Sequence, residues 1–169
     1  DSGCIEVMGK DITKINQTEW NELRTEVGFL FQGSALYDSM SVRENLEFPL
    51  RRHPKKFGDI IDATSLVEDA LNSVGLVDAI DLMPDELSGG MKRRVALART
   101  LILQPKIILY DEPTTGLDPI TSKEIILLMM SIQKQYHTSS IIITHDVDCA
   151  RVIANRMILL IDGINYAEG

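Results

Sequence analysis

The chain of 169 residues has no apolar run near the roughly 18 residues that suggest a membrane span. It shows no leader pattern at its start, no internal repeat and no low-complexity segment. Cysteine is scarce: Cys4 and Cys149 are the only two, and they form no metal-ligand spacing. A basic excess is missing as well. The formal net charge is −8, whereas binding to nucleic acid is dominated by neutralisation of phosphates. These absences argue against a spanning segment, a disulfide scaffold, a zinc module and a nucleic-acid partner. What is present is an ordinary globular composition, 44% hydrophobic and 25% charged, enough for one domain with a buried core. The thiols read as buried or bystander groups in a reducing compartment. The chain is expected to be cytosolic, with any membrane role supplied by a partner.

The opening Asp1-Ser2-Gly3 is a turn signal that leads into a short strand, Cys4–Met8, and the chain starts in mid-pattern. Thr18–Thr25 reads as a helix and Val27–Gln32 as an apolar strand run ending in a polar residue. Val42–Leu50 and Thr64–Val74 have helical spacing, with Gly75 suited to a helix end. Arg51–Lys56 reads as a solvated basic loop. A long helix is expected from Ser88, a good N-cap, to Leu103, with Pro105 ending it. Ile107–Tyr110 and Ile141–Thr144 are uninterrupted apolar strands with a helix, Ser122–Gln135, between them. Asp146–Ile153 is helical again. Met157–Ile161 and Ile164–Ala167 read as a closing hairpin about Asp162-Gly163. Two such strands joined by a crossover helix indicate a parallel sheet covered on both faces. The stretch from Gly33 to Leu103 has no strong strand. The expectation is an α/β protein: a parallel-sheet core in two parts, 1–32 and 104–169, with a helical subdomain inserted over 33–103.

In an open parallel sheet, ligands bind beyond the carboxyl ends of the strands. The residues placed there are Gln32, Asp111, Glu112 and His145. Each alone has a plainer reading, as a cap, a turn or a structural imidazole. Together they suit transfer of a phosphoryl group to water. One carboxylate can hold Mg²⁺ through its waters, and the next can take a proton from the attacking water. An imidazole can bond a terminal phosphate, and an amide can orient water or metal. A second site is Leu87-Ser88-Gly89-Gly90 at the start of the long helix, where unpaired N–H groups and the positive end of the dipole favour an anion. Lys92, Arg93 and Arg94 would add positive charge nearby.

These elements together resemble the ABC transporter ATPases. Leu87–Met91 resembles the family's signature sequence, and Ile107–Glu112 its Walker B strand with the catalytic glutamate. Thr115–Asp118 resembles the D-loop, Gln32 the Q-loop glutamine and His145 the switch histidine, all in the family's order. The run Phe31–Val42, followed by Asn45-Leu46 and Phe48–Arg51, is similar to the ATPases of Mce-domain lipid transporters of the Mla type. So are Met91, where most ABC proteins have glutamine, and Asp118–Thr121.

The resemblance implies a P-loop NTPase core, and a parent that hydrolyses ATP with Mg²⁺ as a homodimer of ATPase subunits. It implies that Asp111 supports Mg²⁺, Glu112 is the general base and His145 contacts the terminal phosphate. Gln32 would sense metal and water. Gln32, Ser88, Gly89, Gly90 and Asp118 would bind the nucleotide, with Ser88, Gly89 and Gly90 contacting the ATP held by the opposite subunit. It implies a membrane permease docked near Gly33–Arg51, an Mce-type lipid-binding protein, and a place on the inner face of the cell membrane. Insertions of coiled coil or zinc type, which would indicate DNA-repair or chromosome ATPases, are absent.

One element departs from the family: no G-x-x-x-x-G-K-[ST] occurs. The only Gly-Lys is Gly9-Lys10, which is followed by Asp11 and comes after a strand rather than before a helix. The phosphate-binding loop is therefore expected before Asp1, and the 169 residues alone are expected to be inactive.

Overall fold

A computed structural model describes residues 3–57 and 63–169 of the chain; Asp1 and Ser2, the first part of the opening turn, lie outside the described residues. The chain begins with a small antiparallel hairpin, β1 (Glu6–Val7) and β2 (Lys10–Asp11). Of the strand expected over Cys4–Met8 only Glu6–Val7 is formed, and it ends where Met8 and Gly9 take positive φ and turn the chain. Gly9-Lys10 belongs to this hairpin, and Lys10 pairs with Glu22.

Helix α1 (Gln17–Glu26) starts at Asn16, whose carboxamide accepts from Thr18 and Glu19 backbone N–H groups while the Glu19 carboxylate returns to the Asn16 N–H. That reciprocal box satisfies donors that the first turn leaves without partners. It feeds strand β3 (Val27–Leu30). Helices α2 (Val42–Arg52), α3 (Pro54–Phe57) and α4 (Ala63–Ser73) follow, then α5 (Gly89–Leu101). The second apolar strand is β4 (Ile107–Asp111), followed by α6 (Pro119–Tyr136), β5 (Ser139–Ile143) and α7 (Val147–Ile153). A hairpin of β6 (Ile158–Ile161) and β7 (Ile164–Glu168) closes the chain.

β3, β4 and β5 form a parallel sheet in that order. Leu30 pairs with Tyr110, and Tyr110 with Ile142, so the three carboxyl ends lie level at one edge. The α/β architecture and the helical stretch between β3 and β4 agree with the sequence. One apolar cluster joins them: Val42, Leu46 and Leu50 of α2, Val67 and Leu71 of α4, Leu97 and Leu101 of α5, Ile108 and Tyr110 of β4, and Ile125, Met129 and Ile132 of α6. The spacing of these residues within each helix is three or four, which puts them on one stripe. Each fully buried aliphatic side chain contributes about 1.5–3 kcal/mol relative to exposure. Close approach is built in at Gly28: a Cβ there would lie 2.4 Å from Thr100 Cγ2, so only glycine lets α5 sit directly on β3.

The basic stretch Arg51–Lys56 is not a loop. Helix α2 runs through Pro49 to Arg52, its last turn held by the Arg51–Glu47 ion pair and by the Arg52 guanidinium over the Phe48 ring. Lys56 then braces the fold, with its ammonium 3.0 Å from Glu26 Oε1 and 3.1 Å from the Leu103 carbonyl.

Candidate functional site

Every carboxyl end of the parallel sheet delivers one of the expected residues. β3 leads into Gln32, exposed in the turn that follows. β4 ends on Asp111, and β5 is followed by Thr144-His145. Glu112 takes φ 48°, a left-handed conformation that a residue with a Cβ adopts at a cost, and its N–H bonds the Ile143 carbonyl at 2.9 Å. That turn aims its carboxylate back along the sheet edge. Oε1 lies 2.8 Å from His145 Nδ1, and Oε2 accepts from the Thr115 hydroxyl at 2.9 Å. Burial pushes the Glu112 carboxyl upward, but the bonds from His145 and Thr115 outweigh it and hold the group below the usual range. The same bond to Glu112 raises the His145 imidazole above its ordinary value.

Ser88 is the N-cap of α5, with Oγ accepting from the Met91 N–H at 3.2 Å. Gly89 and Gly90 form the first turn. Gly90 has a packing reason to be glycine, since a Cβ there would lie 2.7 Å from Thr121 Cγ2 of α6. Asp118 caps α6, accepting from the Ile120 and Thr121 N–H groups, each at 3.0 Å. Hydrogen bonds from Thr121 hold the Asp118 carboxyl below its ordinary value. The structure therefore makes two groups. Gln32, Asp111, Glu112 and His145 share the sheet edge; Ser88, Gly89, Gly90 and Asp118 share the paired helix starts. Thr115 ties the two, with its hydroxyl on Glu112 and its carbonyl accepting from Arg93 of α5.

The expected cluster of positive charge at the start of α5 is corrected. Arg93 is 4% exposed and donates to the carbonyls of Phe31 and Thr115. Arg94 donates to the Val74 carbonyl and pairs with Glu124. Both are committed to the protein's own acceptors, which leaves only Lys92 of the three as a cation for an anion at that helix start. Sequence reasoning gave no role to Asn45, fully buried, which clamps the backbone of residues 37–41, and missed Arg99, which holds the carbonyls of Ser34 and Ala35. A signal for Arg93 existed: it lies four and eight residues before Leu97 and Leu101, on the helix's buried stripe.

Among the described residues no group of three or more His, Cys, Asp or Glu side chains could hold a metal ion by itself. Magnesium does not require one, because it keeps waters and binds through one or two carboxylates together with substrate phosphates. Asp111 and Gln32 supply one carboxylate and one amide, which fits the metal side of such a site. The run that cradles β- and γ-phosphates is not among these residues.

A parallel sheet whose carboxyl edge carries adjacent carboxylates, an amide and an imidazole, beside a Ser-Gly-Gly helix start, defines an α/β cassette of the P-loop NTPase class. The ABC transporter family model matches residues 1–115, and the chain belongs to that family. It is 41% identical over 160 residues to the probable ribonucleotide transport ATP-binding protein mkl of Mycobacterium leprae, covering 95% of this chain and 46% of that one. It is 39% identical over 169 residues to the intermembrane phospholipid transport system ATP-binding protein MlaF of Haemophilus influenzae, covering 100% of this chain and 63% of that one. It is 39% identical over 165 residues to the methionine import ATP-binding protein MetN of Clostridium tetani, covering 96% and 50%. The chain thus spans roughly half of each relative's length, or somewhat more. Among solved structures, it superposes on a dimeric form of the bacterial ABC transporter cassette MJ0796 with a TM-score of 0.85 at 29% identity, covering 99% of this chain and 73% of that one.

Proposed function

We propose that this chain carries the hydrolytic edge of an ABC transporter ATPase, and that the protein it serves drives movement of phospholipid. The observation that carries the first part is the Glu112 carboxylate, held by His145 and Thr115 one residue beyond Asp111. ATP with Mg²⁺, when bound, supplies the phosphoanhydride and the cation that polarises it. Asp111 and Gln32 would hold the metal and its waters. Glu112 accepts the proton of the attacking water. His145 steadies Glu112 through Nδ1, and on a side chain 78% exposed its other ring nitrogen is left to meet a phosphate oxygen. Ser88, Gly89 and Gly90 present a helix start to the nucleotide of a second subunit, with Asp118 fixing the neighbouring helix.

The dimeric MJ0796 cassette supports the homodimer. The division into core (1–32 and 104–169) and helical subdomain (33–103) follows the break between β3 and β4. We place the permease on Gly33–Arg51. Leu46 and Leu50 there pack the core, whereas Tyr37 is 43% exposed against Phe48. No helix among the described residues is long and apolar enough to cross a membrane, so attachment to the inner face of the cell membrane would come through that permease. The lipid cargo, and with it an Mce-type partner, rests on the Mla-like run after Gln32 and on the 39% identity to MlaF over the whole chain. The 169 residues alone should not turn over ATP, for want of a phosphate cradle.

The test is to purify the full product of the gene with its membrane partner and reconstitute it in liposomes. Copurifying phospholipid and ATP-dependent lipid transfer are expected. A partner that handles methionine or a nucleotide would end the lipid reading and leave the ATPase reading standing. Steady turnover by the 169-residue chain, abolished by Glu112→Gln, would overturn its inactivity.

A further inference from the structure

Arg93 stands on the apolar stripe of α5 with Leu97 and Leu101, 4% exposed, and no carboxylate pairs with it among the described residues. Its guanidinium is spent on two backbone carbonyls. Nη1 donates to Phe31 at 2.8 Å and Nη2 to Thr115 at 3.3 Å, while its buried Nε has no acceptor. Burying a cation in this way is costly, and a methionine or leucine would continue the stripe without that cost. What the arginine gains is a connection. Phe31 is the residue before Gln32. Thr115 donates its hydroxyl to Glu112 Oε2 at 2.9 Å. Arg93 therefore joins the peptide beside Gln32 to the backbone of Thr115, the residue whose hydroxyl holds the Glu112 carboxylate.

The far end of that connection is held as well. Ser34 and Ala35, both at positive φ, are gripped by Arg99 from the same helix, and the Ser34 N–H bonds the Phe31 carbonyl at 3.0 Å. Two arginines of α5 thus fix the turn after Gln32, but only Arg93 also reaches the turn that orients Glu112.

We propose that Arg93 is a positioning residue for hydrolysis: it sets the Glu112 carboxylate through Thr115 and ties that setting to the Gln32 turn. This rests on Glu112 being the general base. A residue of this kind shapes the reactive geometry and leaves nucleotide affinity alone.

The experiment is a double-mutant cycle in the full product of the gene, with Mg²⁺-ATP as substrate and each variant assayed well below its own melting midpoint. Arg93→Met is expected to lower kcat about ten- to hundredfold, the range a charge-assisted bond commands, with KM within about twofold. Arg93→Lys, able to meet one carbonyl, should recover part of that loss. Thr115→Val should lower kcat alone, and adding Arg93→Met to it should cost much less than in the wild type, because both act on one carboxylate. Should Arg93→Met not fold, the cycle runs with Arg93→Lys. Additive losses, unchanged kcat, or a rise in KM without a fall in kcat would overturn the proposal. Glu112→Gln is the separate control: if it leaves turnover intact, the general-base reading fails first; if it abolishes turnover while the cycle is additive, only the role of Arg93 falls.

Discussion

Strands β4 and β6 are alike in sequence, Ile107–Tyr110 and Ile158–Ile161 each being an uninterrupted apolar run, and opposite in surroundings. In β4, Ile108 and Tyr110 are 0% and 1% exposed, with β3 and β5 on either side. In β6, Leu159 and Leu160 are 52% and 66% exposed, and among the described residues the strand pairs only with β7. An apolar run specifies extended chain and a demand for burial, while its neighbours decide whether that demand is met. The candidate site grows from the strand whose demand is met. A carboxylate held at positive φ needs rigid surroundings, and β4 has them on both sides.

That contrast can be broken most directly by truncation. Ile108→Ala should destabilise the chain by about 2–5 kcal/mol, the usual loss for an aliphatic side chain removed from a packed core. Leu160→Ala should change stability by no more than about 0.5 kcal/mol, as for an exposed position. Chemical denaturation of both variants checks this, and equal losses would mean that β6 is packed as firmly as β4.

A smaller effect is expected where the helix starts meet. Gly90→Ala forces a methyl against Thr121 Cγ2, and should cost about 1–3 kcal/mol. Thr121→Ser removes that methyl and keeps the hydroxyl, so the double variant should regain most of the loss in thermal melts. No recovery would show that Gly90 is required by its backbone instead.

The smallest effect lies at the amino ends of the sheet. Glu26, just before β3, pairs with Lys56 at 3.0 Å and with Lys106, just before β4, at 3.1 Å. Burial pushes the Glu26 carboxyl up, but the two lysines outweigh it and hold it below its ordinary value. A lowered folded value means stability that is present above the unfolded value and lost as pH falls through the folded one. Glu26→Gln should therefore cost up to about 1 kcal/mol at neutral pH. That difference should close on acidification below the ordinary glutamate range. Glu168→Gln, which breaks the exposed Arg156–Glu168 pair, should cost nothing measurable. Denaturation midpoints across pH decide between them.

Much of this was legible in the chain. Apolar runs marked β3, β4 and β5, and the sequence alone puts Gln32, Asp111, Glu112 and His145 at or just beyond their carboxyl ends. Ser88 announced the start of α5 because a serine hydroxyl there has one main use. The misreadings share a cause. The sequence reads Lys56 and Arg93 as charges facing solvent or ligand, because composition speaks of charge and not of which backbone carbonyls come near once helices pack. The positive φ of Glu112 was hidden for a similar reason: it follows from the Ile143 carbonyl on the adjacent strand, 31 residues away in sequence. The early end of the first strand came from Met8, a residue whose type gives little warning of a left-handed turn.

Glu112, just beyond the end of β4, is the proposed general base. Its most direct test is ATP turnover and ATP binding by the Glu112→Gln variant of the full gene product, measured side by side. The substitution keeps the shape and removes the proton acceptor, so turnover should fall about 10²–10⁴-fold while binding is retained. Turnover near the wild-type rate with intact binding would show that Glu112 is not the base, and would leave the Glu112–His145 pair as a structural tie.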